Sequence, residues 1–144
     1  MRIRFIKSTE THALRQLVLR PEQPLDEMEW PQDNAKDSFH LGMNTGGRQI
    51  SIVSFSRERN ELLHGWKQYR LRGMATHPDH QGAGIGGKLL RFGLDHLRTL
   101  RTDLVWCNAR DGAKGFYAKE GFREEGSPFD IHGIGIHHLM FLRL

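Results

Sequence analysis

Hydrophobic and polar positions change period several times along this chain, and each change marks an element. Ile3 to Lys7 alternates apolar and polar residues, the period of a half-buried strand. Beyond Ser8 and Thr9, either of which suits a helix N-cap, Leu14, Leu17 and Val18 recur at i, i+3 and i+4, and Pro21 stops the helix. Residues 22–37, with Pro24 and Pro31, predict a loop holding at most a short helix. Phe39 to Asn44 and Gln49 to Ser56 predict strands, and Thr45-Gly46-Gly47 between them is a hairpin signal. After a polar loop near Arg57 to Gly65, Lys67 to Thr76 alternates again, with Gly73 placed to make a bulge. Leu89, Leu90, Leu94 and Leu97 fall on one face of a helix over residues 84–100. Leu104 to Ala109 predicts a short buried strand. Ala113 to Glu120 predicts a helix with Phe116 and Tyr117 inward and Gly121 as its left-handed stop. Phe122 to Phe129 and Ile136 to Leu142 close the chain as strands. The order predicts one α+β domain over residues 1–144, without repeats or a linker.

Composition narrows the class. Apolar residues make up 38% and charged residues 26% of the 144, and apolar runs recur throughout, which excludes a disordered chain. No apolar run approaches the roughly 18 residues that cross a bilayer, and Met1 to Lys7 lacks the apolar stretch of a signal peptide. A single cysteine, Cys107, excludes an internal disulfide and a multi-cysteine zinc site; beside Trp106 it reads as a small packing residue. A cytoplasmic location is the simplest expectation. The net charge of +4 lies wholly in residues 51–100, which suits a small anionic ligand better than a nucleic acid. Residues 22–37 are the opposite: Glu22, Asp26, Glu27, Glu29, Asp33 and Asp37 face only Lys36, a net of −5.

The chemistry concentrates at Gln81-Gly82-Ala83-Gly84-Ile85-Gly86-Gly87-Lys88, which follows a strand and opens a helix. There, glycines admit a ligand to the backbone, and N–H groups with the helix dipole face an anion. Gly82, Gly84 and Gly87 fit G-x-G-x-x-G, but a dinucleotide fold wants that loop in its first βαβ unit and an acidic residue ending the next strand. Here several strands precede it, and the next strand ends Asn108-Ala109-Arg110. Gly82 to Lys88 nearly spells a Walker loop, but Leu89 stands where the Mg²⁺-binding Ser or Thr belongs. The third pattern, Gln81-x-x-Gly84-x-Gly86, remains.

That pattern resembles the coenzyme A loop of the GNAT (GCN5-related) N-acetyltransferases, and the resemblance extends over essentially the whole chain. It is strongest from Leu71 to Phe122, where Met74 to Pro78, the glycine loop, Asn108 to Arg110 and Phe116 to Phe122 occur in family order and spacing. Gly133 to Met140 resembles a small bacterial subgroup. The resemblance implies a mixed central sheet of about six to seven strands flanked by helices. It implies acetyl-CoA as cosubstrate, with backbone amides of Gly82, Ala83, Gly84, Ile85, Gly86 and Gly87 holding the pyrophosphate, and Gln81 and Lys88 beside them. The pantetheine arm would pair along Met74, Ala75 and Thr76, in a gap splayed from the strand that ends at Asn108, and Asn108 would bond one of its amides. Tyr117 matches the family tyrosine near the sulfur, where a phenol protonates the departing thiolate. Many members place a glutamate base on the strand before the loop. This chain has Arg70 and Arg72 there, which leaves a water relay or His137 as the base.

The function expected is acetyl transfer to a primary amine by direct attack on the thioester, with backbone N–H near Met74 facing the oxyanion. The alternatives are a non-catalytic acyl-CoA-binding or regulatory domain on the same fold, and a nucleic-acid module suggested only by the pI of 9.6. The partner expected is a small-molecule or peptide amine, with neither nucleic acid nor membrane, and a homodimer is allowed for. If the acidic stretch borders the acceptor cleft, the acceptor is cationic; otherwise that stretch is a solvated face. No metal is expected, because His77-Pro78-Asp79-His80 reads as a turn.

Overall fold

In the computed structural model, which describes residues 1–144, one mixed sheet organises the chain. Its strands are β1 (Arg2–Ile6), β2 (Phe39–Thr45), β3 (Arg48–Arg57), β4 (Gln68–Thr76), β5 (Leu104–Arg110), β6 (Arg123–Glu124), β7 (Phe129–Ile131) and β8 (Gly135–Arg143). The spatial order is β1-β2-β3-β4-β5-β8-β6, and β7 pairs with β8 beside β6. The count is eight because Phe122 to Phe129 is not one strand. Gly126 takes φ +76° and Pro128 offers no N–H, so residues 126–128 interrupt the ladder and leave two short pieces on β8.

The first four strands form an antiparallel meander. Thr45 and Arg48 flank a two-residue turn in which Gly46 and Gly47 both have positive φ, the geometry that matches strand twist. Gly73, at φ +61°, forms the expected bulge. Ile52 pairs with Ala75 and Ser54 with Arg72, so Gly73 and Met74 share the place opposite Val53.

One junction is parallel. β4 and β5 share only Gln68 with Leu104, Tyr69 with Val105 and Arg70 with Trp106. Beyond that point β4 turns with its bulge while β5 continues along β8, and the two strands part.

Helix α1 follows β1 as a 3-10 turn (Ser8–Thr11), an α turn (His12–Leu14) and a π turn (Arg15–Leu19). Its N-cap is Lys7, whose N–H donates to Glu10, rather than Ser8 or Thr9; the Ser8 hydroxyl donates to Glu29. The wider π turn rotates Leu17 outward, so Leu14 and Val18 face the core with Ile6, Ile52 and Ala75 while Leu17 is half exposed. Helix α2 (Ile85–Thr99) lays Leu89, Leu90, Leu94 and Leu97 on the sheet, each burial worth about 1.5–3 kcal/mol. It sits very close there: a Cβ at Gly93 would come within 2.6 Å of the Phe55 ring. After a 3-10 turn (Asp111–Ala113), helix α3 (Lys114–Lys119) buries Tyr117 against Phe122 and stops at Gly121, φ +98°.

Candidate active site

The parting of β4 and β5 opens a cleft of about 350 Å³. Of the residues expected at a site, Met74, Asn108, Tyr117 and His137 line it together. Ala75 and Thr76 do not: Ala75 packs in the small core under α1, and the Thr76 hydroxyl is engaged with Ser51. Those two can serve a ligand only through backbone.

The glycine loop stands where β4 runs out. A 3-10 turn, Pro78–His80, leads into it; the His77 ring accepts from the Asp79 N–H, so this histidine caps a turn. The Gln81 amide donates to the Thr76 carbonyl at 2.9 Å, tying the loop to the strand. Gly82 and Gly84 have φ of +81° and +77°, and nothing lies within 4 Å of the Cβ that either lacks. Gly84 is the N-cap of α2. Open space over backbone amides at the positive end of a 15-residue helix fits a pyrophosphate. Lys88 is exposed one turn in, and Ile85 and Gly87 are buried beneath. The inner edges of β4 and β5 beyond Arg70 and Trp106 have no strand between them, which fits an extended arm pairing with backbone. The residues present therefore fit coenzyme A.

Tyr117 is 5% exposed at the cleft wall. Burial foremost, with neighbouring Cys107, pushes its hydroxyl well above the ordinary value of 10, so the phenol keeps its proton at neutral pH. Cys107 is itself buried, its thiol pushed up by burial, and is inert packing. His137 is 5% exposed and stacks on Phe129. Its Nδ1 lies 2.8 Å from the Gly135 carbonyl, which only accepts; Nδ1 is thus the protonated nitrogen, and in the neutral ring Nε2 carries the lone pair.

The cleft also holds residues to which the motifs gave no binding role. Arg20, Arg70, Arg72 and Arg110 line it, and no Asp or Glu does. Arg70 is paired with Glu58 at 3.0 Å and lies over Trp106. The other three have no carboxylate partner. Arg20 and Arg110 both donate to the Leu19 carbonyl, which draws them together. Burial, and for Arg20 then repulsion from Arg110, lowers both from their ordinary value. Arg72 has neither hydrogen bond nor ion pair for its side chain; burial first, then Arg70 and Arg15, lowers it to about 10. Trp30 is the hub: the guanidiniums of Arg15, Arg72 and Arg20 lie 3.9, 4.7 and 5.7 Å from its ring centre. Averaging charge over long segments conceals this group, because Arg20, Arg72 and Arg110 come from three separate stretches. Their common signal is position: Arg20 ends α1, Arg72 precedes the Gly73 bulge in the middle of β4, and Arg110 ends β5.

None of the six acidic residues of 22–37 lines the cleft. Asp33 is buried under Arg15, Glu29 binds His12, Ser8 and Asn34, and Glu22, Asp26, Glu27 and Asp37 are exposed.

A cleft at the one parallel seam of an antiparallel meander, beside a glycine turn opening a helix, defines the acetyltransferase class of α+β fold. The sequence matches the family described as "Acetyltransferase (GNAT) domain" over residues 12–143, and the chain belongs to that family. It is 40% identical to the uncharacterized N-acetyltransferase YitI of Bacillus subtilis (strain 168), over 100% of this chain and 97% of YitI. Its fold is similar to an aminoglycoside 6'-N-acetyltransferase complexed with coenzyme A, with TM-score 0.78 and 10% identity, covering 99% of this chain and 97% of the other. It is also similar to the ribosomal-protein-S18-alanine N-acetyltransferase of Escherichia coli, with TM-score 0.74 and 16% identity over 99% and 92%. No helix is long and apolar enough to cross a membrane, and no cluster of three or more His, Cys, Asp or Glu is arranged to hold a metal ion.

Proposed function

We propose that this chain transfers an acetyl group from acetyl-CoA to the primary amine of an acceptor that also carries an oxyanion, a carboxylate or a phosphate. The observation that carries the second half is the trio Arg20, Arg72 and Arg110: half-buried cations that form no ion pair, on a wall without a carboxylate. Their losses of hydration are offset only by the Leu19 carbonyl and the Trp30 ring, so an oxyanion would gain charge-assisted hydrogen bonds there. A cationic acceptor, the expectation drawn from residues 22–37, would meet those arginines instead of the carboxylates.

Acetyl-CoA supplies the activated thioester. The arginines hold the acceptor by its anionic end and aim its amine along the cleft. His137 Nε2 takes the proton an ammonium must lose before it becomes a nucleophile. Tyr117, still protonated, gives its proton to the departing sulfur. Two protons leave the nitrogen: the first goes to His137 Nε2 before attack. The second, released as the tetrahedral intermediate collapses, passes through water to restore the Tyr117 phenol. The N–C bond replaces the C–S bond, and the thiol carries the proton Tyr117 gave.

The test is thiol release with a panel of amines: amino carboxylates and amino phosphates against polyamines and aminoglycosides. Amines with an anionic group should be the better acceptors. Arg72→Gln should raise acceptor KM roughly tenfold to a hundredfold, the worth of hydrogen bonds to a charged group, and leave acetyl-CoA KM alone. A polyamine as best acceptor, or a silent Arg72→Gln, overturns the anionic assignment. Coenzyme A binding with no thiol release for any amine overturns the transfer itself and leaves the non-catalytic alternative.

A further inference from the structure

His138 neighbours His137 in sequence but faces the other side of β8, away from the cleft. There it sits between two carboxylates. Its Nδ1 is 2.7 Å from Glu124 Oε2 and its Nε2 is 2.8 Å from Asp111 Oδ1. A carboxylate only accepts, so both ring nitrogens must donate, and only the imidazolium has a proton on each. The side chain is 5% exposed, while Glu124 is further held by Lys114 Nζ at 2.8 Å. The charged groups facing His138 are thus Asp111 from the turn after β5, Glu124 from β6, and Lys114 from the first residue of α3.

The elements so joined are those that carry Tyr117. Helix α3 has six residues, too few to hold together alone, and its start lacks the usual fastening. Ala113 caps it without a side-chain hydrogen bond, and Arg110, which caps the preceding 3-10 turn, makes none either. Two ion pairs stand in for the missing cap: Asp111 to His138, and Lys114 to Glu124. Tyr117 follows Lys114 by three residues, one turn along the helix.

We propose that the His138 imidazolium is a positioning residue, bridging Asp111 and Glu124 so that the first turn of α3 is pinned to β8 and Tyr117 is held at the cleft, and that loss of its proton loosens this turn. The consequence for turnover rests on the reading of Tyr117 as proton donor; the pinning of α3 does not.

The pH window follows from the groups. Hydrogen bonds to Asp111 first, then Glu124, raise His138 above its ordinary 6.5, so its contribution is complete below 6.5 and is lost as pH rises through the raised value. Lys114 first, then His138, lowers Glu124 below its ordinary 4.5, so its share is complete above 4.5 and is lost as pH falls through the lowered value. The bridge is intact between the two. On the alkaline side Asp111 is the partner released, because Glu124 keeps Lys114.

The experiment reads the wild-type chain first. Nitrogen-detected NMR of His138 should show both ring nitrogens protonated at neutral pH and a titration above 6.5. Amide hydrogen exchange of residues 113–118, corrected for its intrinsic pH dependence, should quicken through the same titration. In His138→Gln that exchange should be about tenfold faster at neutral pH, and kcat should fall roughly tenfold to a hundredfold with acetyl-CoA KM unchanged, the scale of a displaced catalytic group. His138→Lys, which keeps a charge for one carboxylate, should recover part of both. A neutral His138 at pH 7 overturns the proposal, as does slow exchange over 113–118 in His138→Gln. If exchange quickens in the variant while kcat holds, the pinning stands and the role of Tyr117 fails.

Discussion

Replacing Asp33 by alanine removes the counter-charge of Arg15, a side chain 0% exposed inside the fold. Arg15 donates to both Asp33 oxygens, at 2.6 and 2.9 Å, and otherwise only to the Met28 carbonyl and the Ser54 hydroxyl; its Nε has no partner. The variant therefore leaves a sealed guanidinium with half its hydrogen bonds and no anion, and strips the Trp30 N–H of its acceptor as well. Removing one member of a buried pair costs about 3–5 kcal/mol, a large share of the roughly 5–15 kcal/mol that holds a domain. Arg15→Met together with Asp33→Leu removes both charges and should cost at least about 2 kcal/mol less than the sum of the single changes, because neither group is left alone. Urea unfolding measures this as midpoint shifts at constant slope. Burial alone would raise the Asp33 carboxyl, but Arg15 and the Trp30 N–H outweigh it and hold it below 3.8. The pair's contribution is thus complete above 3.8 and lost as pH falls through the lowered value. An Asp33→Ala cost under about 1 kcal/mol, or strict additivity in the double variant, would refute the reading of Arg15 and Asp33 as a coupled buried pair.

Gly84→Val should abolish coenzyme A binding in calorimetry. A β-branched residue at φ +77° is strained by about 1–3 kcal/mol, and its methyls fill the open space over the loop amides; unchanged affinity refutes that placement. Tyr117→Phe should lower kcat by roughly 10²–10⁴ with acetyl-CoA affinity nearly intact, and normal turnover per folded molecule would make Tyr117 a packing residue only.

Local pattern disclosed what local physics controls. The Gly46-Gly47 turn, the Gly73 bulge, the leucine face of α2 and the Gly121 stop each depend on a few neighbouring residues, and each stands where its residues indicate. Leu17 and the N-cap of α1 went the other way. Ser8 does not cap because its hydroxyl goes to Glu29, 21 residues on, which leaves the Lys7 N–H to Glu10, and the π turn carries an Arg15 that is bound to Asp33, 18 residues on. At the site, the glycine loop, Asn108, Tyr117 and His137 were legible as motif or chemistry. Trp30, Arg20 and the grouping of Arg20 with Arg72 and Arg110 were not. A cation's meaning depends on whether a carboxylate stands near it, and that is settled only when α1, β4 and β5 converge. The orientation of the acidic stretch was hidden for the same reason: its carboxylates turn to Arg15, His12 or solvent and do not line the cleft.

An open sheet ordinarily has two borders. Because β4 and β5 share three rungs and then separate, this one has four, and the additional two lie inside the molecule. Exposed borders invite other chains to add a strand, the first step of many aggregates. These inner ones are sheltered by Trp30 on one side and α3 on the other, in a space of about 350 Å³. A polypeptide strand would have to seat side chains on both faces there, whereas a slender chain bearing only amides along its length would not. A substitution that merely shrinks Trp30 should cost this protein solubility at high concentration as well as acceptor binding.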